Sequence, residues 1–297
     1  MSNKPRKMTL EKKHNLTGWA FLAPATFLIA VFSFWPMIKA LVLSFQTGKG
    51  RNMQMAGFTN YIRMFQDDVF IQSIKNTFFY FILQVPIMLV VAMVLACILN
   101  KKDLRFKGFF RTMIFVPCTT SLVAYSIIFR SLFANNGLVN YVLVNIGILD
   151  KPYNFLTQPF AAKMVILLGL LWRWTGYNMV FFLSGLQNIE YSVYEAAKID
   201  GASAIQTFFK ITVPLLKPTI LLTAIMSTNG TLQLFDESIN LTDGGPANAS
   251  ISMSHYIYNL CFKYVPNFGY AAAMSFFILL LVAVLALIQM RVGDKRD

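Results

Sequence analysis

Six stretches of the chain are apolar almost without interruption, and polar residues cluster between them. A bilayer core about 30 Å thick needs about 20 mostly apolar residues per helix. The stretches 18–45, 77–99, 109–133, 161–184, 215–235 and 270–290 meet that length. They predict an all-α integral membrane protein with six transmembrane helices. A basic segment, 1–17, precedes the six-span unit at 18–290, and a short tail, 291–297, follows it. The first apolar run far exceeds the roughly 7–15 residues of a signal-peptide core, so it reads as an uncleaved helix. Pro24, Pro36, Pro86 and Pro117 fall inside spans. A helical bundle tolerates them where neighbouring groups take up the released carbonyls.

Composition agrees with this pattern. Hydrophobic residues make up 56% of the 297 and charged residues 13%, against about 45–50% and about 25% in an average soluble domain. The net charge of +13 would raise the question of nucleic acid in a soluble protein. Here the basic residues sit between apolar runs, so membrane lipid, not nucleic acid, is the expected surroundings. Their placement reports orientation. Sixteen lie before the first span, in 101–111, in 190–217 and after residue 290, whereas the alternate loops hold six. The positive-inside rule then predicts a multi-pass membrane protein with both termini and the 190–217 loop cytoplasmic.

That loop is the most patterned segment of the chain. Residues 192–218 read SVYEAAKIDGASAIQTFFKITVPLLKP. Two helix starts of the capping-box type are expected, Ser192 with Glu195 and Ser203 with Gln206. Gly201 stands between them, where a left-handed residue closes one short helix and turns the chain. Ile205, Phe208, Phe209 and Thr212 recur at helical spacing, and Pro214 and Pro218 end the second helix and open the fifth span. Such a loop is shaped to fit another protein.

Glu195-Ala196-Ala197, then Gly201 after three residues, then Ile211 and Pro214, resemble the EAA motif of permease subunits in binding-protein-dependent ABC importers. The one departure is Val213 where the motif has leucine. LTDGGPANAS at 241–250 is similar to a GGP element of the sugar-importing, maltose or multiple-sugar branch, with Asp243 where that branch often carries another glycine. Phe21-Leu22-Ala23-Pro24 and the stretch 111–140 extend the likeness over most of the chain. The resemblance implies the MetI-like permease fold. It also implies that Glu195, Ala196, Ala197, Asp200, Gly201, Ile211 and Pro214 dock on a cytoplasmic ATPase dimer. Glu195 could alternatively serve only its own capping box. The further implied partners are a second homologous permease, an extracytoplasmic solute-binding protein and a sugar substrate. ATP and Mg would belong to the ATPase, with no cofactor on this chain.

No G-x-x-x-x-G-K-[ST] phosphate loop occurs, so the energy must come from a partner. Neither His14 nor His255 has neighbours set for metal binding or nucleophilic catalysis, and both are expected at the surface. Cys97, Cys118 and Cys261 have no metal-ligand or disulfide spacing. The chain therefore reads as no enzyme. Carboxylates are nearly absent from span centres, which disfavours an autonomous proton-coupled carrier. Arg173 lies near the middle of the fourth span, where an ionisable side chain must face the bundle interior or a wet cavity. With Trp172, Trp174 and Tyr177 beside it and Asn229 to Gln233 at similar depth on the fifth span, it outlines a sugar path: rings cover C–H faces and polar groups hold hydroxyls. Two other readings of Arg173 stay open. It could bond neighbouring carbonyls or the partner permease, or it could face an anionic cargo such as glycerol phosphate.

Overall fold

The computed structural model describes residues 9–49, 52–101 and 103–293. Residues 1–8 of the basic N-terminal segment and 294–297 of the tail lie outside them. Helix α1 (Leu10–Ser44) carries a π-turn at Ala30–Phe34 ahead of Pro36. Proline has no N–H to continue the ladder, and the widened turn accommodates its ring. A hairpin of β1 (Gln46–Lys49) and β2 (Asn52–Met55) follows, pairing Gln46 with Met55. Next come α2 (Thr59–Met64), α3 (Asp68–Asn100), α4 (Lys107–Thr119), α5 (Leu122–Leu132), α6 (Leu138–Asn145) and α7 (Pro159–Gln187). The chain then forms α8 (Tyr191–Ile199), α9 (Ala204–Leu215), α10 (Lys217–Leu232), α11 (Asp236–Thr242), α12 (Met253–Tyr258) and α13 (Phe268–Gly293).

Four helices, α1, α3, α7 and α13, are long and apolar enough to cross a membrane alone. The third predicted span is not one helix. It is the pair α4 and α5, bent by 98° at the Thr120–Ser121 break shortly after Pro117, and α9 and α10 likewise meet at 70°. Packing shows that α4–α5 as a pair, and α10 by itself, still run from one end of the bundle to the other. The C-terminal thirds of α3 and α7 share one apolar cluster, with Ala92, Ala96 and Leu99 against Phe182, Leu183 and Leu186. These two helices therefore run parallel, and α4–α5 must return the chain between them. Helix α10 runs the other way. Leu216, at its start, joins that same cluster, whereas Leu232, at its end, packs with Phe70 and Tyr270 at the opposite end. With each bent pair taken as one span the candidate crossings number six, and the far ends of the first and last described helices lie towards the end that bears α8 and α9.

The opposite end is tied down by buried polar groups. Asp67 caps α3, accepting from the backbone N–H groups of Val69 and Phe70 at 2.9 and 3.2 Å, while its other oxygen takes the hydroxyls of Tyr256 and Tyr270, each at 2.7 Å. Burial opposes its charge, but these donors outweigh it and hold the carboxyl below its ordinary range. Asn76 donates to the carbonyls of Asn248 and Ile251 at 3.1 and 2.9 Å, fastening the 243–252 loop to α3. Between the two ends, Tyr80, Tyr125, Phe129, Ile166, Leu170 and Leu234 form a third apolar layer. By contrast, no residue of the apolar window of α1 is buried.

Candidate functional site

Two features could do work: the α8–α9 corner at one end and a polar cavity at mid-height. Helix α8 begins at Tyr191 with Glu190 at its N-cap position and no side-chain cap. The expected pairing of Ser192 with Glu195 is absent, and the Ser192 hydroxyl instead donates to Glu190 at 3.3 Å. The reason is register: with the helix opening one residue before Ser192, that serine sits inside the first turn and has no orphan amide to accept. The second box is present. Ser203 Oγ accepts from the Gln206 amide at 3.2 Å, and Gln206 Oε1 accepts from the Ser203 amide at 2.8 Å. Gly201, at φ 76°, turns the chain between the helices.

Of the motif residues, Glu195, Ala196, Asp200, Gly201 and Pro214 are exposed, Ile211 is half-buried, and Ala197 is buried beneath α8. Exposed apolar side chains flank them: Ile199 is 85%, Ile205 72% and Phe209 65% accessible. On the inner side Phe208 and Val213 pack on the α3–α7 cluster, and Tyr194 and Thr212 hydroxyls meet at 3.5 Å. The corner is thus fixed to the bundle by one face and presents the other. A cavity of about 730 Å³ opens beneath it between the ends of α3 and α7, lined by Asn100, Leu104, Leu186, Tyr191 and Thr212 among others.

The second cavity, about 420 Å³, lies between α3, α7, α10 and the start of α11. Arg173 marks the middle of α7, is buried, and lines it together with Trp174, Tyr177, Asn229 and Gln233. Trp172 does not line it. On a helix, adjacent positions point about 100° apart, and Trp172 stacks on Tyr125 of α5 with centroids 5.9 Å apart. The Arg173 guanidinium carbon sits 5.5 Å from the ring centroids of both Tyr125 and Trp174. Its Nε and Nη1 are buried without a hydrogen-bond acceptor, so the expectation that neighbouring carbonyls satisfy it does not hold for those atoms.

Several lining residues escaped the sequence reading. Gln84 of α3 accepts from the Thr231 hydroxyl of α10, Asn178 of α7 accepts from Ser227 at 3.2 Å, and the Asn178 amide donates to the Trp174 carbonyl at 3.1 Å. These lone polar residues inside apolar runs were the available signal. Glu237, the second residue of α11, is the other. It is 4% exposed and lines the cavity beside Trp174. Burial pushes its carboxyl above the ordinary range, while Arg173 and Trp174 pull it back.

His255 corrects another expectation. It is wholly buried, its Nδ1 2.9 Å from the Ser238 hydroxyl and its Nε2 3.6 Å from Asp243, which Lys263 clamps at 2.9 Å. The loop from Asp243 to Ser250 folds back over it, so a residue read as loop surface becomes the plug beneath that loop. His14 is exposed as expected.

Residues 66–296 match the model of the family described as "Binding-protein-dependent transport system inner membrane component". The chain is 50% identical over 292 residues to the lactose transport system permease protein LacF of Rhizobium radiobacter, covering 98% of each. It is 33% identical to the multiple sugar-binding transport system permease protein MsmF of Streptococcus mutans, covering 97% of this chain and 99% of that one. Among solved structures, a bacterial alginate ABC transporter in complex with an alginate pentasaccharide-bound periplasmic protein has a chain that superposes with a TM-score of 0.83 at 26% identity, covering 95% and 96% of the two chains.

Proposed function

Because this chain belongs to the family of binding-protein-dependent transport system inner membrane components, we propose that it is the membrane-spanning permease subunit of an ATP-driven importer for a sugar or oligosaccharide. It sits in the bacterial cell membrane with both termini cytoplasmic and forms the translocation path with a second homologous permease. The α8–α9 corner docks on a cytoplasmic ATPase dimer, which binds the ATP and Mg. A solute-binding protein delivers sugar at the opposite end. ATP-driven closure of the ATPase moves the corner and switches the bundle between outward- and inward-facing states. The chemistry is conformational, so this chain needs no cofactor.

The observation that carries the reading is the corner itself. A capped, glycine-turned pair of helices is anchored on the bundle while Glu195, Ile199, Ile205 and Phe209 remain exposed. Glu195 plays no part in a cap of its own helix, which leaves its exposed carboxylate for a basic partner. The lactose and multiple-sugar cargo of the named relatives supports sugar as substrate. Arg173, Tyr177, Asn229 and Gln233 of the cavity are the proposed path residues.

The test is reconstitution in liposomes with the second permease, the ATPase and the binding protein. ATP-dependent uptake of lactose is expected, and Glu195→Ala should reduce it while sugar-loaded binding protein still docks. Uptake by this chain alone, without ATP, would make it an autonomous carrier and sink the proposal. Gln233→Ala should lower uptake and leave assembly with the ATPase unchanged.

A further inference from the structure

The turn between α3 and α4 concentrates positive charge and aromatic surface at the end that bears α8 and α9. Residues 101–111 read KKDLRFKGFFR, five basic residues to one acidic. Lys101 and Arg105 are exposed. Among the described residues the ion pairs within 4.0 Å are those of Asp243 with His255 and Lys263, so neither cation is engaged by a carboxylate there. Phe106 is 78% exposed and its backbone is left-handed at φ 59°, a conformation costly for a bulky residue. It stands at the N-cap position of α4, where it supplies no side-chain cap. In water nothing offsets that strain and that exposed ring.

Helix α4 continues the surface. Phe109, Met113 and Val116 follow at four- and three-residue spacing, which sets them on one face, and all three are exposed, with Phe110 beside them. The other face is taken: Ile114 packs on the α3–α7 cluster, and its carbonyl lies against Gly176. An apolar stripe thus runs from the basic turn along the helix and away from that end of the bundle. This is the order of groups on a phospholipid, charged headgroup first and acyl chain after. A basic segment beside a transmembrane helix attracts the anionic lipids of the cytoplasmic leaflet, and aromatic rings settle at headgroup level. We infer that the α3–α4 turn and the exposed face of α4 bind an anionic phospholipid, with Lys101 and Arg105 on its phosphodiester and Phe106, Phe109 and Met113 along its acyl chain. The inference rests on the proposed function only in setting this turn at the cytoplasmic face of the membrane.

The test uses the assembled complex of this chain with its second permease and ATPase, in detergent. Photoactivatable phosphatidylglycerol is the probe, and photoactivatable phosphatidylcholine, which carries no net charge, is the comparison. Each lipid is titrated in, and labelling of residues 101–116 is read by peptide mass spectrometry. Phosphatidylglycerol should label that segment at lower concentration than phosphatidylcholine. Each basic side chain near an anionic surface is worth about fivefold in binding, so Lys101→Gln combined with Arg105→Gln should raise the phosphatidylglycerol concentration needed by about 25-fold and leave phosphatidylcholine unchanged. Phe106→Gly relieves the left-handed backbone, so the variant should unfold no earlier than wild type and yet bind both lipids several-fold more weakly. A purely structural phenylalanine would give the first result without the second. Equal labelling by the two lipids, or a double variant that binds phosphatidylglycerol like wild type, overturns the inference. If the double variant instead loses its ATPase on purification while lipid labelling stays put, the turn is a protein contact and the lipid reading is wrong. No sugar enters this measurement, so a failure of lactose uptake would remove the proposed function and leave the lipid site standing.

Discussion

Gly176 shows how much one hydrogen in place of a methyl group decides. It faces α4 so closely that a Cβ built on it would overlap the backbone carbonyl of Ile114. Backbone cannot step aside as a side-chain tip can. Gly176→Ala is therefore expected to force α4 and α7 apart, destabilising the protein by about 1–3 kcal/mol, the usual range for overpacking. Gly108→Ala, with nothing within 4 Å of the built Cβ, is the control and should unfold at the wild-type temperature. Thermal unfolding of the two purified variants checks this. His255 gives a pH prediction. Burial depresses its pKa, Asp243 raises it and Lys263 lowers it, with a net downward shift. The unfolded chain gains a proton on this residue as pH falls through about 6.5, whereas the folded chain does not until lower pH. Stability is thus at its full value above that point and declines below it, until the folded pKa is passed. Replacing His255 by Gln should flatten part of the difference in melting temperature between about pH 7.5 and about pH 5.5. An unchanged difference would mean that the imidazole is hydrated in the folded protein.

At the scale of elements, the α8–α9 corner was the most legible part of the sequence, and the reason is local. A capping box and a left-handed glycine are set by residues three apart or fewer, so Ser203, Gln206 and Gly201 announce their geometry without help from the rest of the fold. Ser192 and Glu195 carry the same signature, but the choice between starting at Tyr191 and starting at Ser192 depends on how α7 ends, which local spacing does not encode. The bend between α4 and α5 was hidden for a similar reason. Residues 109–133 are apolar enough to read as one span, Pro117 and the Thr119-Thr120-Ser121 run mark only where a helix can stop, and the 98° turn is fixed by packing against α3 and α7. Glu237 and His255 were missed or misplaced because burial of a loop by another loop leaves no periodic trace. The corner yields two predictions. Ser203→Ala should destabilise α9 by about 1 kcal/mol, read as a modest loss of uptake with assembly intact. Gly201→Trp has room within this chain, since nothing lies within 4 Å of the built Cβ, but its φ of 76° is strained for any other residue. The indole would stand on the docking face. Uptake should disappear while the sugar-loaded binding protein still associates, and survival of uptake would move the docking surface elsewhere.

For the molecule as a whole, the packing and the charge count make separate statements that have to agree. Packing sets α3 parallel to α7, with α8 and α9 at the end where the first described helix begins and the last one finishes. The basic residues, sixteen against six across the alternating loops, are distributed as the proposed cytoplasmic placement of that end requires. The two statements meet at the bent pair. If α4 and α5 dipped into the bilayer and returned, residue 151 and the chain before α3 would lie on opposite sides, and the 190–217 loop would face outward with its three lysines. Cysteine labelling separates these arrangements. The native thiols Cys97, Cys118 and Cys261, all half-buried and unpaired, are first replaced, and single cysteines are then introduced at the exposed positions Lys151 and Asp200. A membrane-impermeant maleimide applied to intact cells should label Lys151→Cys, and should reach Asp200→Cys only after the membrane is opened. Labelling of Asp200→Cys from outside would put the corner beyond the reach of any ATP-bound partner, and the coupling reading would fall with the orientation.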